Sequence, residues 1–269
     1  MFEEPYRWVE AVGNRRQYLD EQFQQGSPVV AVSYADGILL LTVSRGTPKL
    51  YEIYDRIGLG GMGHPADLEK LRFNVLEMAH VEGFNRSPSD VTGSRMVKYG
   101  LAPLIKQAFE EVYKAPFIVK ILLAELGTKA ERDAFITINY DGTFEESTEC
   151  AAVAATSDIQ ADVIRSLQQQ SGLAGASLGQ AVEAALQAWA VGSLSQRKEM
   201  DTPDQDDRKN NTRAASSPDA ATIEAHLRET LAEKTIECAV LERTAPGSSK
   251  YRAIQSGQLK SLLPGFFNT

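Results

Sequence analysis

The chain has few of the residues on which metal and disulfide chemistry depend. Its 269 residues include only two cysteines, Cys150 and Cys238, and three histidines. The two cysteines lie far apart in sequence, which fits a reducing compartment, and the histidines are scattered without the spacing of a zinc site. We therefore expect neither a metal site nor a cofactor.

Long apolar runs and an excess of positive charge are also absent. The formal net charge is −8, which argues against a nucleic-acid surface. No apolar run approaches the roughly 20 residues that span a bilayer, so a membrane-embedded protein is not expected. The N-terminus, MFEEPYRW, is acidic and lacks the apolar core of a signal peptide. These absences predict a soluble, cytoplasmic protein.

Helical and strand-like patterns alternate in blocks along the chain. Residues 5–25 carry apolar side chains at helical spacing. A hairpin follows, turning at Asp36-Gly37, and its second strand, 38–43, is apolar enough to predict burial on both faces. Further strands are predicted at 51–58, 117–126, 134–140, 150–155, 235–242 and 251–254, and further helices around 68–79, 97–112, 178–189, 223–233 and 257–263.

This order predicts an α+β fold in which two antiparallel sheets stack face to face between helix pairs. We expect one domain over residues 1–269, with an N-terminal segment at 1–26, the main sandwich at 27–192 and C-terminal helix and strands at 222–269. Between them, residues 193–221 carry six acidic and five basic side chains but only two large apolar ones. That composition predicts a disordered, charged loop.

A glycine-rich stretch, GLGGMG at Gly58–Gly63, matches the G-x-G-x-x-G pattern of dinucleotide-binding turns. We do not favour that function, because two helices follow in succession and no parallel strand completes a βαβ unit. Asp36-Gly37 and Asp141-Gly142 are interpreted as turns rather than as catalytic carboxylates.

Ser27, directly after Gly26, raises a sharper question. A self-processing hydrolase needs a hydroxyl exposed by cleavage and a free α-amine as base, usually with a lysine nearby. The residues before Ser27 have the pattern of an ordered helix, and a proline follows at once. Two interpretations therefore stand: Ser27 as a buried nucleophile awaiting cleavage, or Ser27 as the start of a strand.

Several longer blocks resemble the bacterial proteasome α subunit of the actinobacterial type. SPVVAVSYADGILLLTVS resembles that family's first hairpin, KLYEIYDRIGLGGMGHPADLEKLR its second strand and first long helix, and FNRSPSDVTGSRMV its helix-to-helix turn. TIECAVLERTAPGSSKYRAIQSGQL resembles its last strands. The resemblance covers most of residues 8–192 and 235–263.

The resemblance implies the four-layer αββα fold of N-terminal nucleophile hydrolases and a subunit without peptidase activity. Such subunits form seven-membered rings of identical α subunits that cap rings of catalytic β subunits. A catalytic β subunit would begin with threonine where this hairpin starts, and would carry an aspartate near Val43. The resemblance thus favours Ser27 as a strand residue. The alternative remains a self-processing amidohydrolase or β-type peptidase with Ser27 as nucleophile.

The resemblance also implies two functional sites. The helix that ends near Gln25 would line the axial entrance, preceded by a gate for unfolded protein substrates. Lys49 would receive the C-terminal carboxylate of an activator, a ring ATPase or another cap. The chain departs from the family in its first residues, where only Glu4-Pro5 matches, and in the length of the loop at 193–221. The gate residues so implied are Met1, Phe2, Glu3, Glu4 and Pro5.

Overall fold

The computed structural model describes residues 5–111, 113–170, 172–201 and 218–263. Strands occupy the centre of the fold. They are β1 (Val29–Tyr34), β2 (Gly37–Ser44), β3 (Leu50–Tyr54), β4 (Ile57–Gly63), β5 (Val119–Glu125), β6 (Ala134–Ile138), β7 (Phe144–Ser147), β8 (Cys150–Val153), β9 (Thr235–Glu242) and β10 (Tyr251–Ala253).

Helices flank these strands, and a π-helical turn at Val97–Leu101 joins the third to the fourth. They are α1 (Pro5–Phe23), α2 (Pro65–Asn85), α3 (Gly93–Met96), α4 (Ala102–Glu110), α5 (Ser157–Gln168), α6 (Leu178–Asp201), α7 (Ala220–Leu231) and α8 (Ser256–Leu262). In the part of the chain that the structure describes, no helix has the length and apolar character needed to cross a membrane.

The strands form two five-stranded sheets, with orders β10-β9-β2-β1-β8 and β3-β4-β5-β6-β7. All their pairings are antiparallel. One hydrophobic core fills the space between the two sheets and continues under α5 and α6. A second core lies between the sheet of β3 to β7 and the helices α2 to α4. The predicted αββα sandwich is confirmed.

Strand alternation separates the two cores along β5. Ile121 and Leu123 belong to the core under α2 and α4, whereas Leu122 and Ala124 point between the sheets. The predicted double burial of the first hairpin's second strand is also confirmed, because every residue of β2 is buried.

The strand predicted at 51–58 is wrong, because this stretch turns at Asp55-Arg56 into the hairpin of β3 and β4. The GLGGMG motif lies inside β4 and is not a phosphate-binding turn. Its glycines make room for neighbours: a Cβ added at Gly60 would lie 2.6 Å from Val29 Cγ1, and one at Gly61 would lie 2.2 Å from Leu68 Cδ1.

The predicted loop at 193–221 is partly wrong as well. Helix α6 continues to Asp201, and α7 begins at Ala220, so both ends of that segment are helical. Residues 202–217 of the predicted loop lie outside the described residues. The sequence analysis also missed β7, whose four residues are all exposed.

Candidate functional site

Ser27 lies between the end of α1 and the start of β1 and is half-buried. Trp189 Nε1 on α6 donates a hydrogen bond to Ser27 Oγ at 3.0 Å. Gln196 Nε2 donates to the carbonyl of Gly26 at 2.8 Å and to the carbonyl of Gln24. Ser27 lies two residues before β1, so it does not begin the strand as the sequence predicted, and its contacts give it a structural role in the connection from α1 to β1.

Val43 lies near the position at which the resemblance implies an aspartate in catalytic subunits. Its side chain is fully buried in the core between the sheets and α6. An apolar, buried residue cannot hold or orient a proton for a nucleophile.

Helix α1 packs onto the sandwich through Leu19 and Phe23, which are both fully buried. Tyr140 reinforces that contact, because its ring stacks on Phe23 at 5.8 Å and its hydroxyl donates to Asp20 Oδ1 at 3.0 Å. The apolar spacing of residues 5–25 predicted the helix, and the structure ends it at Phe23.

Arg15 fixes α1 to the end of α4. A helix leaves its last carbonyls without partners inside the helix, and a cation is favourable at that end. The Arg15 guanidinium donates to four carbonyls there, those of Ala108 (3.1 Å), Phe109 (2.8 Å), Glu111 (3.2 Å) and Lys114 (2.7 Å). The position of α1 is thereby tied to a second layer of the fold.

The structure places the proposed gate only in part. Pro5 is the first residue of α1, whereas Met1, Phe2, Glu3 and Glu4 lie outside the described residues.

Lys49 stands just before β3, where Glu237 of β9 holds the backbone. The Glu237 carboxylate accepts from the backbone N–H of Lys49 at 3.0 Å and from that of Leu50 at 2.8 Å. The Lys49 side chain is half-buried, and among the described residues no carboxylate lies within 4.0 Å of its Nζ. An ammonium without a direct counter-ion remains available for an incoming anion.

Burial lowers the pKa of Lys49, Glu237 acts in the opposite direction, and Lys234 adds to the lowering. Burial likewise raises the pKa of Glu237, which the two backbone N–H groups and Lys49 partly offset. Lys49 and Glu237 thus form a compact, partly buried charge cluster at one end of the two sheets.

Two residues of these sites were missed in the sequence. Arg15 was visible only as an interruption of an apolar helical face, and Glu237 as one of two acidic residues in a largely apolar strand. Neither pattern indicates a partner, because the partners lie about a hundred or more residues away.

In the described ranges, no cluster of three or more His, Cys, Asp or Glu side chains is placed to hold a metal ion.

Comparison with known proteins agrees with this geometry. The family described as "Proteasome subunit" matches residues 23–201. The chain belongs to the proteasome subunit family. A proteasome subunit alpha of Streptomyces coelicolor is 30% identical over 260 residues, which cover 94% of this chain and 87% of that protein. Those of Streptomyces scabiei (30% over 256 residues, 94% and 89%) and Actinosynnema mirum (30% over 184 residues, 68% of each) are similarly related.

This membership confirms the resemblance found in the sequence, including its actinobacterial character. The αββα sandwich is that of the N-terminal nucleophile hydrolases. The relatives are alpha subunits, so the chain is a proteasome component of the alpha type.

Proposed function

We propose that this alpha-type subunit is a non-catalytic member of the proteasome core particle in the cytoplasm. Seven copies form an outer ring on a ring of catalytic β subunits, and the segment at Met1–Pro5 gates the admission of unfolded chains. Support comes from Ser27, whose hydroxyl oxygen accepts a hydrogen bond from Trp189, and from Val43, which is buried near the position of the implied catalytic aspartate.

Lys49 carries the docking part of this proposal. A terminal carboxylate is a compact anion, and Lys49 offers a compact cation without a carboxylate partner within 4.0 Å in the described structure. Glu237 positions the backbone on which Lys49 stands. A ring ATPase or another activator with a C-terminal tail would bind here.

The test is peptidase activity of the particle assembled with its β subunit, with and without the activator. We expect Lys49→Ala to abolish most of the stimulation while leaving assembly and unstimulated hydrolysis of a short peptide unchanged. Losing one partner of a desolvated charge pair costs about 2–5 kcal/mol of binding free energy per site.

Lys129→Ala serves as the control, because Lys129 is an exposed lysine outside this cluster. If the Lys49→Ala particle were still fully stimulated, Lys49 would not be part of the docking site. The proposal that the chain is a ring-forming α subunit would be unaffected.

A further inference from the structure

A second lysine, Lys120, lies inside the sandwich. Alternation along β5 places it on the same face as Leu122 and Ala124, between the two sheets, and only 7% of it is exposed. Transferring an ammonium into such an environment is strongly unfavourable unless another charge compensates it. Lys120 therefore needs a counter-charge.

The immediate partners of Lys120 are all neutral. Its Nζ donates to the carbonyls of Ala154 at 3.0 Å and Ala155 at 2.8 Å, and lies 5.0 Å from the ring centre of Phe23 and 5.7 Å from that of Tyr140. An ammonium has three N–H donors, so these carbonyls engage two of them.

No carboxylate of the described chain lies within 4.0 Å of Lys120 Nζ. Asp20 and Asp141 act on it from farther away, but burial dominates and lowers the pKa of Lys120 to about 8. The distant carboxylates thus compensate the buried charge incompletely.

A cavity of about 120 Å³ adjoins this ammonium. It opens between β7 and the first turn of α5, where the helix dipole also favours negative charge. Glu145 is the acidic residue of its lining and is exposed at the rim. The neutral polar side chains that line the cavity are Thr137, Asn139, Thr143, Ser157 and Gln160.

We propose that this cavity binds a compact anion as the counter-ion of Lys120. The anion is either a free inorganic ion of chloride size or a carboxylate from a neighbouring copy of the chain. The hydroxyl and amide groups of the lining supply neutral donors. Because Lys120 also contacts Phe23, the last residue of α1, anion binding stabilises the packing of α1 on the sandwich.

The first experiment compares thermal unfolding of the full chain in sodium chloride and in sodium gluconate at equal ionic strength. Gluconate is a much bulkier anion than chloride. We expect chloride to raise Tm saturably relative to gluconate, by roughly 3–6 °C once it exceeds its Kd about tenfold. Lys120→Met should lose this difference, whereas Lys129→Met, which alters an exposed lysine, should keep it.

A second variant covers the possibility that Lys120→Met does not fold. Gln160→Glu adds a carboxylate to the lining of the cavity that Lys120 also lines. We expect this variant to have a higher Tm than the parent without chloride and no chloride-specific rise.

The two sources of the anion are distinguished by comparing the unaltered chain with Gln160→Glu. Broadening of the chloride NMR line that Gln160→Glu abolishes identifies a free ion. If chloride has no effect, but Gln160→Glu weakens assembly of the ring at low protein concentration, the anion is the neighbour's carboxylate. Absence of both a chloride-specific effect and an assembly effect would overturn the proposal.

Discussion

Asp133 is 2% exposed, and protein donors engage both of its oxygens. Arg243 donates to Oδ1 at 3.1 Å and to Oδ2 at 2.9 Å, Gly127 N–H donates to Oδ1 at 2.8 Å, and Ser33 Oγ to Oδ2 at 3.2 Å. This bidentate pair links the β9–β10 connection to the start of β6 and to β1. A buried carboxylate so arranged depends on its cation.

Removing that cation should be costly. Arg243→Ala leaves the Asp133 carboxylate buried without its counter-ion, so we expect the free energy of unfolding to fall by about 3–5 kcal/mol. Urea denaturation measures the loss. Arg165→Ala is the control, since it breaks the exposed pair with Asp162 and should change stability by at most about 1 kcal/mol. Equal losses in the two variants would contradict the role of burial.

Lys49 predicts a pH dependence for tail docking. Only the ammonium form binds a carboxylate, and burial lowers the pKa of Lys49, so affinity should fall with rising pH sooner than for an exposed lysine. Glu237 raises that pKa, and Glu237→Gln should therefore move the decline to lower pH. Titrating a labelled activator-tail peptide against the assembled ring gives both profiles. A shift of the decline to higher pH in Glu237→Gln would refute this electrostatic account.

At the level of elements, α1 is held by polar contacts as well as by its apolar face. Arg15 reaches the carbonyl end of α4, and neighbouring Arg16 lies 3.8 Å from Asp141 with half of its side chain exposed. Arg15 and Arg16 are adjacent in sequence, but Arg15 is hydrogen-bonded to the end of α4 whereas Arg16 is exposed.

Arg15→Ala should loosen both α1 and the end of α4. We expect amide hydrogen exchange to rise in both helices, since hydrogen bonds from a charged donor contribute about 1.5–3 kcal/mol. Arg16→Ala should leave exchange nearly unchanged. Mass spectrometry of peptides from residues 5–23 and 102–110 gives the measurement, and an identical pattern in the two variants would contradict the capping role of Arg15.

Strand β4 is packed on both faces, so there is no space for a side chain at Gly60 or Gly61. A methyl group at Gly61 would overlap Leu68 of α2, and Gly61→Ala should destabilise the fold by about 1–3 kcal/mol. Gly13→Ala is the opposite case, because nothing lies within 4 Å of the new Cβ in α1. That variant should gain about 0.5–1 kcal/mol from helix propensity. Thermal unfolding should show a lower Tm for Gly61→Ala and a higher Tm for Gly13→Ala than for the parent chain.

At the scale of the whole molecule, the Gly26–Ser27 bond decides between a ring subunit and a self-processing hydrolase. We expect the purified chain to keep a mass near 29.5 kDa, both alone and after assembly with β subunits. Intact mass spectrometry is the measurement. Loss of residues 1–26, together with activity that Ser27→Ala abolishes, would make the chain a peptidase itself.

Much of the architecture could be predicted from the sequence. The change from alternating to helical spacing located most strands and helices, because each element must present an apolar face to a core. Strand β7 was missed because FEES has no buried face to produce that signal. The end of α6 was missed because its last turns consist of polar residues with good helix propensity, which apolar counts ignore.

The GLGGMG stretch shows the limit of motif reading. Glycine-rich sequence is typical of turns, but here the sheet lies between α2 and the opposite sheet, and close approach on both sides selects small residues. The neighbours that require this lie in other elements, so the motif by itself could not reveal them.

The sequence alone determined the spacing of elements, the resemblance to proteasome alpha subunits and the candidates Ser27 and Lys49. Only the tertiary structure decided what those side chains meet: Trp189 at Ser27, Glu237 beside Lys49, and the end of α4 around Arg15. Local periodicity reflects which face of an element is buried. Pairings across 94 to 188 residues depend on how the layers stack, which no local pattern records.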